Sequence, residues 1–224
     1  MSESVYTEKY VLFLDILGFE AYTTSDEKSE EFAKKVLPAF DKLVNVLPLI
    51  INKLLHNKEH NTHISQFSDT FIISSSNHNA ITQAVNVLQP TLLNYQLLSR
   101  GAVTYGKVFH NGSQFIGPAI TRACNLEKSE AIYPRVILDT ESFPDDFDLK
   151  ASIGLDYVRQ DFDGWHYFIS PNFALRPPHF RLPPNFKEQQ LCDFNQMHEK
   201  VKQGENYWKL KSKYIWFEKT YFGN

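Results

Sequence analysis

Residues 10 to 19, YVLFLDILGF, set a carboxylate into an otherwise apolar stretch, and no other segment restricts the fold so tightly. Tyr10 to Leu14 have the aromatic and β-branched content and the short length of a buried strand. Asp15 follows at once, with Ile16, Leu17 and Gly18 behind it. An ionised carboxylate in such surroundings costs on the order of several kcal/mol unless a metal or another group compensates it. A chain that keeps Asp15 there needs a partner for it.

The rest of the chain reads as alternating strands and helices. Residues 9–14 form the first strand. Apolar spacing predicts helix over 28–55, broken or kinked into two pieces by Pro38 and Pro48, followed by a polar turn at 56–61. The stretch THISQFSDTFIISSS reads as two short strands meeting in a hairpin at Ser68-Asp69. A second amphipathic helix over 80–99 bends near Pro90. Residues 100–110 are a strand, Asn111-Gly112-Ser113 a turn, and 117–131 a helix with Pro118 at its start, where proline is tolerated. Strands follow at 135–139 and 159–169. Four prolines within 175–185 make an irregular connection, and the apolar and aromatic residues from about Glu188 to Phe222 recur at helical spacing. This order predicts an α+β sandwich with helices on one face of a mostly antiparallel sheet. No repeat or Gly/Ser-rich linker divides the chain. We expect residues 1–150 to form the core and 151–224 a strand, a Pro-rich connection and an aromatic helix packed on the same domain.

Composition narrows the function classes. With 224 residues, 42% hydrophobic and 22% charged, the chain suits one soluble globular domain. A formal charge of -3 and a pI near 6.2 give no basic field for nucleic acid. Cys124 and Cys192 have neither metal-type spacing nor the density of a disulfide scaffold, which fits a reducing compartment. The N-terminus is polar and acidic rather than signal-like, and the most apolar run, VLPLII, is too short to span a bilayer. A cytoplasmic protein with no membrane or nucleic-acid partner is the expectation. His56, His60 and His63 lie in a polar connection and read as solvated rather than ligating.

In an antiparallel sheet, Asp15 and Asp69 emerge at the same end. Paired aspartates beside a glycine-containing turn suit hard, oxygen-preferring cations such as Mg²⁺ or Mn²⁺, which bridge carboxylates to substrate phosphates. The plainer alternative is that Asp15 caps a following helix and Asp69 is a turn residue.

Taken in order, FLDILGFEAY, FSDTFIIS and RGAVTYGKVF…IGPAITRACNLEKSEA…PRVILD resemble the class III nucleotidyl cyclase catalytic domain over roughly residues 9 to 140. That family carries F-x-D-I-x-G-F at the end of a strand, G-D in a hairpin, and a helix opening G-x-x-V-N-x-A-x-R. The resemblance implies a ferredoxin-like α+β sandwich and a homodimer with sites at its interface. It makes Asp15 and Asp69 the ligands of two divalent ions, Mn²⁺ or Mg²⁺, joined by the backbone carbonyl of Ile16. Amides around Leu17, Gly18 and Phe19 would then face a triphosphate. The implied reaction is that of a phosphorus–oxygen lyase: intramolecular attack of the ribose 3′-hydroxyl on the α-phosphate with loss of pyrophosphate.

The chain departs from the family pattern at several positions. Ser68 stands in place of the hairpin glycine. Thr121 and Asn125 occupy the helix positions usually held by Asn and a transition-state Arg, which leaves Arg122, Arg100 and Arg135 as the cations open to that role or to the triphosphate. Ser65 and Gln114 take the base-reading positions, and neither purine pair is present. A short cyclase domain with FLDILGF, RACNLEKSEA followed by PR, and an aromatic tail resembles most the bacterial Pycsar pyrimidine cyclases of antiphage defence. UTP, ahead of CTP, is the substrate this implies, with cyclic UMP as a messenger that reaches a companion effector without direct contact between the proteins. The rival readings are a purine cyclase, a catalytically dead cyclase-like nucleotide-binding domain, and an interaction domain built on the aromatic tail.

Overall fold

The computed structural model describes residues 4–22, 26–55, 61–154, 157–169 and 207–221, with isolated helical positions at 192, 195, 199 and 202. Its elements are β1 (Thr7–Ile16), α1 (Phe19–Tyr22), α2 (Asp26–Leu54), β2 (His63–Phe67), β3 (Thr70–Ser75), α3 (His78–Asn94) and β4 (Ser99–His110). They continue with β5 (Phe115–Ile116), α4 (Pro118–Ser129), β6 (Val136–Leu138), α5 (Leu149–Ile153), β7 (Val158–Gln160), β8 (His166–Phe168) and α6 (Tyr207–Tyr221). The turn at 56–60, His56 and His60, and the Pro-rich connection lie outside the described residues. No helix among the described residues is long and apolar enough to cross a membrane.

The strands form one sheet in the order β2-β3-β1-β4-β6-β8-β7, with β5 paired to β4 outside that path. Among the described residues, only β4 and β6 pair in parallel. This is the α+β class with a mostly antiparallel sheet that the sequence leads one to expect.

β1 sits third in the order and is apolar on both sides, which explains its unbroken hydrophobic run. Successive side chains alternate between faces. Tyr10, Leu12, Leu14 and Ile16 join Phe71 and Ile73 in the main core under α2 and α3, whereas Val11 packs with Ile72, Val108, Ala119, Ile120 and Ala123 of the opposite layer. Helices therefore cover both faces, not one: α4 lies on the second, and Trp216 of α6 packs against its Ala102, Ala131, Ile137 and Tyr167.

Two other local expectations are corrected. α2 runs unbroken through Pro38 and Pro48. Its inner stripe, Phe32, Val36, Ala39, Phe40, Leu43, Leu47 and Ile51, is continuous with the core. Pro38 is exposed and Pro48 half-buried, so neither ring belongs to the inner stripe that holds the helix on the core. The single strand expected over 159–169 is a hairpin, β7 and β8, because Asp161 and Gly164 close a turn between them.

The second layer is fastened by a buried cation. Arg135 is fully buried, paired with Asp161 and Asp163, and lies 5.5 to 5.8 Å from the ring centres of Tyr133, Tyr167 and Trp216. Trp216 Nε1 also donates to Asp161 Oδ2 at 2.9 Å, which ties α6 to the β7–β8 turn.

Candidate active site

β1 holds Asp15 between Thr70 of β3 and Arg100 of β4 in the ladder. Thr70 Oγ1 donates to Asp15 Oδ1 at 3.3 Å. The hairpin turn carries Asp69, whose backbone carbonyl accepts from the Ile16 amide at 3.2 Å. The backbones of the second aspartate and of the residue after the first are thus stapled together, and both carboxylates belong to one end of the sheet.

Their electrostatics are unfavourable as they stand. Burial pushes the Asp15 carboxyl up to about 6, and the charges of Asp69 and Glu127 push in the same direction, against Arg100 and the Thr70 hydroxyl. A divalent cation would relieve that repulsion. The donors on offer are hard oxygens, two carboxylates and the Ile16 carbonyl, and they suit Mg²⁺ or Mn²⁺. Among the described residues no three His, Cys, Asp or Glu side chains form a ready-made metal cage. A carboxylate pair of this kind takes the rest of its shell from substrate phosphates and water.

The turn after β1 accounts for Gly18, whose φ of +76° lies in the left-handed region that side chains avoid. Phe19 anchors the far side of the turn against Phe32, ring centres 5.3 Å apart. One expectation fails here. The Leu17 amide donates to the Leu98 carbonyl at 2.8 Å and is not free for a phosphate, which leaves Gly18 and Phe19.

Ser68, at the position that is glycine in the resembled pattern, has a φ of +54°, a left-handed backbone with a side chain present. Serine tolerates this conformation better than a β-branched residue. Ser68→Val is expected to lower stability by roughly 1–3 kcal/mol, read as a lower urea midpoint, while Ser68→Gly stays close to wild type.

The cations fall into different places. Arg100 Nε pairs with Glu127 at 2.6 Å; the glutamate side chain is 3% exposed, and the pair lies beside Asp15. Arg122 is clasped by Asp139, its Nη2 donating at 2.7 Å and its Nε also donating. Arg135 is buried in the network of Asp161 and Asp163, so the structure assigns it to the fold and removes it from the triphosphate set.

α4 separates two sets of residues. Ala119, Ala123 and Glu127 face inward at helical spacing. Thr121, Arg122 and Asn125 instead line an outward groove of about 630 Å³ with Tyr6, Ile116 and Ser129. Within one chain the outward set is turned away from the inner side of α4, where Glu127 pairs with Arg100.

The base-reading expectations are also altered. Ser65 is buried, its hydroxyl 2.8 Å from His110 Nε2 and donating to the Gly112 carbonyl, while His110 Nδ1 is 2.9 Å from Ser74 Oγ. Burial, with the nearby His63 and Lys9, lowers the His110 imidazole to about 4, so it is neutral at ordinary pH. Gln114 is exposed in the same β4–β5 turn as Gly112, its carbonyl accepting from the Asn111 amide at 3.0 Å. The turn is laid over Ser65, whose hydroxyl is already engaged.

Glu127, His110 and Lys213 escape a reading of the sequence. Nothing in NLEKSEA marks its first glutamate as the inward one except its spacing of four from Ala123 and eight from Ala119. Lys213 comes from α6, where Arg100 and Glu127 act on its charge.

No protein-family model matches the chain, and no curated protein matches it. Among solved structures it is similar to a bacterial light-regulated adenylyl cyclase, with 15% identity over 88% of this chain and 58% of that one, at a TM-score of 0.43. A second structure of a bacterial light-regulated adenylyl cyclase gives 15% identity, 88% and 59% coverage and a TM-score of 0.42. The chain spans less than two thirds of the length of those proteins.

Proposed function

We propose that this protein is a metal-dependent nucleotidyl cyclase acting on a pyrimidine nucleoside triphosphate, UTP ahead of CTP. The observation that carries the reading is the pairing of Asp15 and Asp69 beside the left-handed turn at Gly18. Asp15, Asp69 and the Ile16 carbonyl would hold two divalent ions. Bound there, Mg²⁺ or Mn²⁺ supplies charge stabilisation at phosphate oxygens and acidifies a coordinated hydroxyl.

The chain's own residues do the positioning. Asp15, whose carboxyl is pushed up to about 6, is mostly ionised at pH 7 and above and accepts from Thr70. The Gly18 and Phe19 amides face the polyphosphate, and Arg100 stands next to Asp15 on the neighbouring strand. The ribose 3′-oxygen forms a bond to the α-phosphorus, the bond from that phosphorus to the bridging oxygen breaks, pyrophosphate leaves, and the hydroxyl proton passes to solvent.

Thr121, Arg122 and Asn125 face outward, so we assign them to a partner copy's site in a homodimer. The pyrimidine choice rests on the positions of Ser65 and Gln114, neither of which offers a purine pair. The resemblance to Pycsar cyclases supports a cytoplasmic role in antiphage defence, the cyclic nucleotide reaching an effector by diffusion. Residues 151–224 would then act with the catalytic core as one domain.

The experiment is incubation with ATP, GTP, CTP or UTP and Mn²⁺, with products resolved by chromatography and mass spectrometry and Asp69→Ala as control. The expected result is cyclic UMP, lost in the variant. Cyclic AMP or cyclic GMP would overturn the base assignment. No product from a folded protein that still binds Mn²⁺ would favour a nucleotide-binding domain without turnover, a reading consistent with the engagement of Ser65 by His110 and of Arg122 by Asp139.

A further inference from the structure

The backbone just after Asp15 is fastened by a cluster to which the far end of the chain contributes. Pairing with β4 fixes β1 from Thr7 to Ile16, and the Ile16 amide is tied to the Asp69 carbonyl at 3.2 Å. There the ladder ends. Gly18 is exposed, and a side chain added to it would meet nothing within 4 Å. Between the two stands Leu17, whose amide donates to the Leu98 carbonyl at 2.8 Å. Its half-buried side chain packs against the cluster of Leu93, Leu98, Ile169, Tyr214, Phe217 and Tyr221. Leu98 is a member of that cluster, so Leu17 is gripped through backbone and side chain together.

Tyr214, Phe217 and Tyr221 recur at spacings of three and four along α6 and form the stripe by which it docks. The helix is itself anchored. Trp216 Nε1 donates to Asp161 Oδ2 at 2.9 Å, and the Tyr221 hydroxyl donates to the Phe168 carbonyl at 3.4 Å. α6 is therefore a fixed abutment for the cluster rather than a loose tail. Strand β1 does not depend on this grip, because both of its neighbours already set its register and its inward residues belong to the main core. What the grip adds is control of the backbone next to the carboxylate pair. Divalent cations need ligand oxygens placed to within about 0.2 Å, and such precision comes from the packing behind the ligands.

We propose that Leu17 is a positioning residue through which the α6 cluster sets the turn beside Asp15 and Asp69, so that the C-terminal helix governs how tightly a divalent cation is held. The proposal rests on the metal reading above.

The test has two readouts on the whole chain. One is Mn²⁺ binding, followed by the free-ion signal in electron paramagnetic resonance. The other, on metal-free protein, is exchange of the Ile16 amide relative to the Leu12 amide of the same strand, followed by nuclear magnetic resonance. Wild type is expected to bind Mn²⁺ and Asp15→Asn to lose binding. Leu17→Ala should weaken binding roughly tenfold, as for a turn that holds its binding setting about one tenth of the time, and should raise the relative Ile16 exchange by a similar factor. Leu17→Met refills the space and should stay within about threefold of wild type. Phe217→Leu, which alters the grip from the helix side, should weaken binding about threefold. Ile137→Val removes a buried methyl from the separate cluster of Ala102, Ala131 and Tyr167 and should lower the melting temperature with both readouts unchanged. Wild-type affinity and exchange in Leu17→Ala overturn the proposal and leave the metal reading standing, as does an equal loss in Ile137→Val. If Leu17→Ala does not fold, wild-type affinity in Phe217→Leu overturns it instead. No Mn²⁺ binding to wild type overturns both.

Discussion

Asp15→Asn is expected to lower metal-dependent turnover by about three orders of magnitude and, in the same variant without metal, to raise stability. The gain follows from the carboxyl's environment: burial first, then repulsion from Asp69 and Glu127, lifts it to about 6 in the folded chain. In the unfolded chain it titrates near 4. Between those values the folded state binds more protons, so this group's contribution to stability falls as pH rises from about 4 to 6, and the whole cost is present above that window. Removing the charge recovers roughly 1–3 kcal/mol. Urea denaturation of both proteins in chelator at pH 7.5 and pH 5 checks this, with the difference largest at pH 7.5. Equal stability at both pH values would show that Asp15 is not strained by its neighbours. Added Mn²⁺ should stabilise wild type and leave the variant unmoved.

Arg135→Met is expected to cost about 3–5 kcal/mol, because it strands two carboxylates against buried aromatic rings. For a chain of this size that is a fall of about 10 °C in the melting temperature. Burial acts to raise the Asp163 carboxyl, but the hydrogen bond and charge of Arg135 outweigh it and hold the group low. Asp163 therefore contributes stability that is full above its unfolded pKa near 4 and lost as pH falls through its lower folded value. Arg135→Met should remove this acid-dependent loss as well as the stability itself. A melting-temperature profile from pH 7 to pH 3 reads both. A drop of less than about 1 kcal/mol would show that the aromatic stack alone carries the packing. This variant also separates fold from chemistry, since Arg135 looks like a phosphate-binding candidate in sequence and acts as a fastener in the structure.

What can be read from the sequence follows its physics. Alternation, helical spacing and turn residues are local, so β1, the hairpin at Ser68-Asp69, α4 with Pro118 at its start and the α+β class are visible in one dimension. Local rules also explain the errors. Pro38 and Pro48 look like breaks, yet the inner stripe of α2 is long enough to hold the helix together around them. RQDFDGWHYFI alternates like one strand, yet Asp161 and Gly164 turn it. The site is less legible because its neighbours come from distant segments. Asp15 and Asp69 stand out because a carboxylate beside apolar residues is costly wherever the strand goes. Glu127, Lys213 and His110 have their significance only after α4, α6 and the β4–β5 turn are laid across the sheet. Hydrogen bonding is hidden in the same way: the Leu17 amide and the Ser65 hydroxyl look available until Leu98 and His110 are seen to occupy them.

The ladder positions of β1 carry a consequence for how this site can fail. Asp15 is counted into place by continuous pairing from Tyr10 to Asp15 along β3 and from Thr7 to Ile16 along β4. A slip of one residue would turn Asp15 toward the packed layer of α2 and α3 and would carry Leu12, Leu14 and Ile16 out of it. No intermediate setting exists in which the carboxylate is slightly misplaced while the core survives. Errors of placement are digital here: the strand is either in step, with its acid beside Thr70 and Arg100, or out of step with its core dismantled. Evolution could therefore retouch the loops and helices around the acid without ever having to recalibrate the acid itself.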